Sequence, residues 1–209
     1  MTEKTAAIIL AGGENKRLGQ PKALLRFGDK LIVEIMVEKL QEYFSEIIIV
    51  TDLPDPLRHL PVILTGDVFT SYRKSSLRGL HAGLERSTGT HNFVIACDMP
   101  FVNILLIEYM HSMIPGYDAV IPRVGEYVQP LHAFYHKRSI ATIEKHLLAG
   151  KFKVAELYCH LNIRYIEEEK ILEVDPEQKA FFNINTDVAF KTARQIYFEE
   201  EQTRKILGG

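Results

Sequence analysis

Short apolar runs rich in β-branched residues recur along the first half of this chain, and each is followed by a stretch with helical periodicity. Residues 6–10, 47–50, 62–64 and 93–97 are apolar at successive positions, not at alternate ones. A strand of that kind must be covered on both faces, which is the environment of a parallel sheet between two layers of helices. Between the runs, Ile32, Ile35, Met36, Leu40, Tyr43 and Phe44 fall at three-and-four spacing and predict a helix over 31–44 with one buried stripe. A second helix is expected over 77–86, where Gly79, Ala82 and Gly83 leave one side small, and a third over 103–114. The alternation predicts an α/β fold: a doubly wound, three-layer α/β/α domain with a mostly parallel sheet.

The later chain is less regular. Residues 119–121 and 129–135 read as strands, 139–148 and 154–161 as helices, and 162–166 and 171–174 as weaker strands. Thr186 before Asp187 marks the start of a last helix carrying Val188, Ala193, Ile196 and Tyr197, and the charged tail after Glu199 is expected to fray. No linker or repeat interrupts the chain, so residues 1–209 are read as one domain.

Charge and cysteine usage narrow the function classes. With 25 Lys and Arg against 27 Asp and Glu, the net charge is −2, which argues against a nucleic-acid or anionic-membrane partner for the chain as a whole. Cys97 and Cys159 are the only cysteines and lie far apart, which suits a cytoplasmic protein without disulfides or a zinc knuckle. No run approaches the roughly 18 apolar residues of a membrane span. An anionic ligand would have to be met by a local cluster.

Such a cluster follows the first apolar run. Gly12 and Gly13 permit close backbone approach, and Lys16, Arg17 and Lys22 bring cations beside them. The segment fits neither the G-x-G-x-x-G dinucleotide turn nor the G-x-x-x-x-G-K-[ST] phosphate loop. In an open parallel sheet, ligands bind beyond the carboxyl ends of the strands. Asp98, which ends the run 93–97, is placed there either to hold a divalent cation or to cap the next loop, and Asp67 follows the third run in the same way. Cys97 reads as a small buried hydrophobe. His132 and His136 read as structural or acceptor-site residues, since no metal-ligand spacing surrounds them.

The pattern L-A-G-G-x-x-x-R-x-G-x-x-K over 10–22 resembles the signature of nucleotidyltransferases that attach a nucleoside monophosphate to a phosphorylated acceptor. With C-D-M-P-F at 97–101, Q-P-L-H-A-F-Y at 129–135 and N-I-N-T at 183–186, the chain resembles the molybdenum cofactor guanylyltransferases. That resemblance implies a Rossmann-like nucleotidyltransferase fold using GTP and Mg²⁺. The terminal phosphate of molybdenum-molybdopterin would attack the α-phosphorus of GTP, and pyrophosphate would leave. It implies that Leu10, Ala11, Gly12 and Gly13 hold the nucleotide, with Asp67 close to it. Arg17 and Lys22 would offset phosphate charge, and Asp98 would bind the nucleotide and hold Mg²⁺. Residues 1–115 would form the nucleotide side and 116–200 the acceptor side, with Gln129, Asn183 and Asn185 as acceptor contacts. Proteins that deliver or receive the cofactor are implied as partners.

Other readings of the same residues stay open. Asn183 and Asn185 would equally tie a loop to the last helix, and Lys151 and Lys153 would either meet the acceptor phosphate or be solvated. Where the family carries Gly-Pro-Leu, this chain has Ser75-Ser76-Leu77, and where it often has asparagine after the second strand, this chain has Val50-Thr51-Asp52. A cytidylyltransferase or other nucleotidyltransferase on the same scaffold, and a non-catalytic nucleotide-binding protein, are the alternatives.

Overall fold

The computed structural model describes residues 4–12 and 20–207. In chain order the strands are β1 (Thr5–Leu10), β2 (Arg26–Phe27), β3 (Lys30–Leu31), β4 (Ile47–Val50), β5 (Ile63–Thr65), β6 (His91–Ala96), β7 (Ala119–Val124), β8 (Tyr127–Val128), β9 (His132–His136) and β10 (Ile163–Ile166). The helices are α1 (Ile32–Leu40), α2 (Ser76–Arg86), α3 (Ile104–Ser112), α4 (Ile140–Leu148), α5 (Glu168–Val174) and α6 (Asp187–Leu207). The main sheet runs β10-β7-β9-β6-β1-β4-β5, with β8 paired to β7. β1 lies parallel between β4 and β6, β4 parallel to β5, and β10 parallel to β7, while β9 is antiparallel to both its neighbours.

The alternation of side chains along each strand builds the three layers. Ala7 and Ile9 of β1 face one core with Ile47 and Ile49 of β4 and Phe93 and Ile95 of β6. Residues of α1, α3 and α6 cover that face. Ile8, Ile48, Val50 and Val94 face the other way, under α2, α4 and the 3-10 turn Val154–His160. Every residue of β4 and of β6 is buried, as strands apolar on both sides require. Helix starts are fixed locally: Glu34 accepts from the Leu31 N–H at 2.6 Å, and Asn103 accepts from the Leu106 N–H at 3.1 Å.

Three expectations change, and one hairpin is added. The apolar residues over 171–174 are helical, in α5: Ile171 alone among the helix residues is buried, Leu172 is exposed, and Lys170 pairs with Glu173 one turn on. The tail beyond Glu199 continues α6 to Leu207, held by Lys179 to Glu200 at 3.0 Å and by Arg204 to Glu201 at 2.7 Å. The strand expected over 129–135 begins at His132, because the Gln129 N–H donates to the Pro122 carbonyl and the His132 N–H to that of Gln129. The short β2–β3 hairpin was not signalled by any apolar run. It turns at Gly28, whose φ is 64°, and its Phe27 is buried against Phe190 and Tyr197 of α6. Among the described residues no helix is long and apolar enough to cross a membrane.

The small side of α2 has a measurable consequence. A Cβ added at Gly83 would stand 2.4 Å from Ile8 Cγ2 and 3.3 Å from Val50 Cγ2, in fully packed core, whereas one at Gly79 would meet only the end of the Leu10 side chain, no nearer than 3.4 Å. Ile8 is β-branched and cannot swing aside cheaply. Gly83→Ala should lose roughly 1–3 kcal/mol to overpacking despite the better helix former, while Gly79→Ala should be neutral or stabilising. Thermal unfolding of the two variants checks the contrast.

Candidate active site

The strand order β6-β1-β4-β5 sets four strand exits side by side, and one cleft of about 560 Å³ opens over them. Each exit delivers chemistry to it: Cys97 and Asp98 after β6, Gly12 after β1, Thr51 and Asp52 after β4, and Asp67 after β5. The N-terminal end of α2 supplies Ser75 and Ser76, and Lys22 enters from the loop before β2.

Lys22 is the centre of a contact that joins three distant segments. Its ammonium donates to Asp98 Oδ2 at 2.6 Å and to Asn185 Oδ1 at 2.5 Å. Buried Ala23 and Leu25 anchor the turn that carries it. The Ile184 N–H donates to the Asp98 carbonyl at 2.9 Å, so the N-I-N-T segment is stitched to the C-D-M-P-F loop by main chain as well. Burial pushes the neighbouring Cys97 thiol up to about 12, with the Asp98 carboxylate adding to it, which keeps that sulfur protonated and inert as a nucleophile.

At the far end of the row, Asp67 Oδ2 stands 3.1 Å from an Arg78 guanidinium nitrogen, with side-chain exposures of 10% and 6%. Arg78 also donates to the Tyr72 carbonyl at 2.5 Å. Burial raises the Asp67 carboxyl above the ordinary range, and Arg78 opposes that shift. Ser75 caps α2, its Oγ accepting from the Arg78 N–H at 3.3 Å, so the serine standing where the family pattern has glycine is used to start the helix.

The residues singled out from sequence divide as follows. Leu10, Gly12, Lys22, Asp67 and Asp98 line the one cleft. The Ala11 N–H and the Leu10 carbonyl are taken up by the Val50 carbonyl and the Cys97 N–H, which leaves the main chain at Gly12 as the nearer approach for a ligand. Gly13 and Arg17 lie outside the described residues. Asn185 joins Lys22, but the Asn183 side chain closes its own turn by donating to the Phe181 carbonyl at 2.9 Å. Gln129 is not among the residues lining the cleft, though Leu131 two residues on is. Its neighbours Pro130 and Leu131 border a second cleft of about 600 Å³, which shares the 73–76 wall with the first and takes Lys151 and Lys153 on its other side. His132 is wholly buried, edge-on to Phe93 and Phe181, and burial pushes its pKa down to about 3, so it is a neutral core residue. Sequence reading did not single out Arg78, Lys74 or Asp52 as site residues; the departure at 75–77 from the family pattern was the available signal.

For a metal, Asp98 is a single carboxylate, and among the described residues there is no group of three or more His, Cys, Asp or Glu able to hold one. That donor set fits Mg²⁺ carried in on a nucleotide, which takes one or two carboxylates and completes its shell with phosphate and water, and does not fit a resident zinc site.

Breaking the Arg78–Asp67 pair should expose its electrostatics. Arg78→Met leaves a buried carboxylate without its cation, a loss on the order of 3 kcal/mol at neutral pH. A carboxyl whose folded pKa is raised favours the native state at low pH and loses that contribution as pH rises through the folded value. The deficit of the variant should therefore shrink on going from pH 8 toward pH 4, and Asp67→Asn in the same chain should restore part of the stability. Thermal unfolding against pH measures both.

Comparison with known proteins agrees with this geometry. Residues 7–160 match the MobA-like NTP transferase domain. A probable molybdenum cofactor guanylyltransferase from Peptoclostridium acidaminophilum is 36% identical over 208 residues, covering 96% of this chain and 93% of that protein. A molybdenum cofactor guanylyltransferase from Syntrophotalea carbinolica is 31% identical over 192 residues, 91% and 90% of the two chains. The crystal structure of molybdopterin-guanine dinucleotide biosynthesis protein A from Archaeoglobus fulgidus superposes with a TM-score of 0.81 at 28% identity, covering 93% of this chain and 99% of that one. A cleft built at adjacent strand ends around Lys22 and Asp98, in a chain matched nearly end to end by these relatives, places the protein: it belongs to the molybdenum cofactor guanylyltransferase family of MobA-like NTP transferases.

Proposed function

We propose that the protein transfers GMP from GTP to the terminal phosphate of molybdenum-loaded molybdopterin, releasing pyrophosphate and leaving a guanine dinucleotide. The observation that carries this reading is the Lys22–Asp98–Asn185 contact, which sets a cation and a carboxylate at the meeting point of the nucleotide cleft and the acceptor-side loop. In the transfer a phosphate oxygen of the acceptor bonds to the α-phosphorus of GTP, and the bond from that phosphorus to the bridging oxygen breaks, its electron pair leaving with pyrophosphate. The attacking phosphate is already ionised near neutral pH, so no general base is required, and catalysis reduces to positioning and charge stabilisation.

The described residues supply both. Gly12 gives the triphosphate an approach to main chain, and Lys22 offsets charge where it builds on the transferred and departing phosphates. Asp98 would hold Mg²⁺, which when bound shields phosphate oxygens from one another. Arg17 and Gly13 carry the roles their family positions imply. The second cleft, with Lys151 and Lys153 facing the shared wall at 73–76, suits the acceptor, and Asn185 lies between the two substrates through its bond to Lys22.

Purified protein with Mg²⁺, molybdenum-loaded molybdopterin and each of GTP, CTP and ATP should release pyrophosphate with GTP alone. Preference for CTP would overturn the guanylyl assignment, and binding of GTP without release would make the protein a nucleotide binder only. Lys22→Ala should lower kcat by on the order of 10²–10³, as removal of a preorganised donor to developing charge does. Asp98→Asn should abolish Mg²⁺-dependent turnover with the thermal midpoint near that of the parent; wild-type rates in that variant would remove Asp98 from the metal role.

A further inference from the structure

The transfer chemistry leaves two cation–carboxylate pairs of the cleft unused, and of these Arg78–Asp67 is buried while Lys74–Asp52 is open to solvent. Lys74 donates to Asp52 Oδ2, and the two side chains are 40% and 52% exposed. The pair stands over the glycine turn: a Cβ at Gly12 would lie 3.7 Å from Lys74 Cε and 3.9 Å from Asp52 Oδ2. Asp52 follows β4, which is two strands along from β6, the strand that delivers Asp98. Two strand spacings amount to roughly 10 Å. A nucleotide lying across these strand exits with its triphosphate at Lys22 and Asp98 would bring its base to the side of the cleft where Asp52 and Lys74 meet.

Three polar groups on that side are already engaged, while Arg73 and Ser76 also line it. Thr51 Oγ1 accepts from the Leu53 N–H, Ser75 Oγ caps α2, and Asp67 is held by Arg78. Lys74 and Asp52 hold only a solvated ion pair, which exchanges for a ligand at little cost.

We propose that Asp52 and Lys74 read the base: the Asp52 carboxylate accepts from N1–H and the 2-amino group of guanine, and the Lys74 ammonium donates to O6. Guanine alone among the four bases presents two adjacent donors beside an acceptor on that edge, so a carboxylate next to an ammonium is its complement. Adenine and cytosine offer Lys74 an amino group where guanine has O6, and uracil offers Asp52 a single donor. The inference rests on the guanylyl-transfer reading and adds to it the residues that select the nucleotide.

The test is equilibrium binding of Mg²⁺ complexes of GTP, ATP, CTP and xanthosine 5′-triphosphate, in which a carbonyl replaces the 2-amino group. Wild-type protein should favour GTP. Asp52→Asn should turn one acceptor into a donor, lowering affinity for GTP and raising it for xanthosine triphosphate, so that their ratio moves by about tenfold or more. A gain of xanthosine triphosphate binding cannot arise from misfolding. Lys74→Met should weaken GTP more than ATP or CTP. An unchanged ratio of GTP to xanthosine triphosphate in Asp52→Asn, or an equal loss for all nucleotides in Lys74→Met, would overturn the proposal while leaving guanylyl transfer standing. Failure of the wild-type protein to favour GTP would instead overturn the guanylyl reading, and the proposal with it.

Discussion

β1 is the strand on which the rest of the molecule depends. It lies parallel between β4 and β6, and Ala6, Ala7, Ile8 and Ile9 are fully buried. Because its side chains alternate between two apolar cores, the strand cannot slip by one residue without reversing every contact on both faces. That register places Leu10 level with Ala96 and Val50, so the loops after β1, β4 and β6 leave the sheet at the same height. The cleft is a consequence of that alignment. Gly83 reinforces it from above, since α2 can approach β1 and β4 as closely as it does only where a side chain is missing.

Much of this was legible in the sequence, for a physical reason. A strand buried on both sides must be apolar at every position, so β1, β4 and β6 announce themselves, and the rule that ligands bind beyond the carboxyl ends of parallel strands then points at Gly12, Asp67 and Asp98. Strand direction is not encoded in such a run, which is why the antiparallel setting of β9 between β6 and β7 had to be seen. The segment over 171–174 was misread because a short apolar stretch looks alike in a strand and a helix, and its Glu-rich lead and the burial of Ile171 alone decide for the helix. Arg78 was invisible for another reason. It sits within the helical pattern of α2, and only the fold shows that its guanidinium reaches back to Asp67 and the Tyr72 carbonyl.

The near-zero net charge of the chain also takes on a local meaning. Along the cleft, three cations each face a carboxylate: Lys22 with Asp98, Lys74 with Asp52, and Arg78 with Asp67. Among the described residues, a polyanionic nucleotide entering such a site meets these three paired cations beside Arg73. It must exchange partners with pairs that already neutralise one another, and the gain is the difference between two sets of contacts.

That difference depends on burial. Arg78–Asp67 is the most enclosed pair, at 6% and 10% exposure, and opening it would strand a charge in low dielectric, so it acts as framework that fixes the wall of the cleft. Lys22–Asp98 is intermediate, at 17% and 16%, and each member has a chemical reason to part: the ammonium for phosphate, the carboxylate for a divalent cation. Lys74–Asp52 is the most exposed and yields most readily. The gradient orders the site from rigid to exchangeable. On the proposed reading, a nucleotide carrying Mg²⁺ would replace both partners of Lys22–Asp98 in one event, metal for ammonium at the carboxylate and phosphate for carboxylate at the ammonium, so neither charge would be left unmatched.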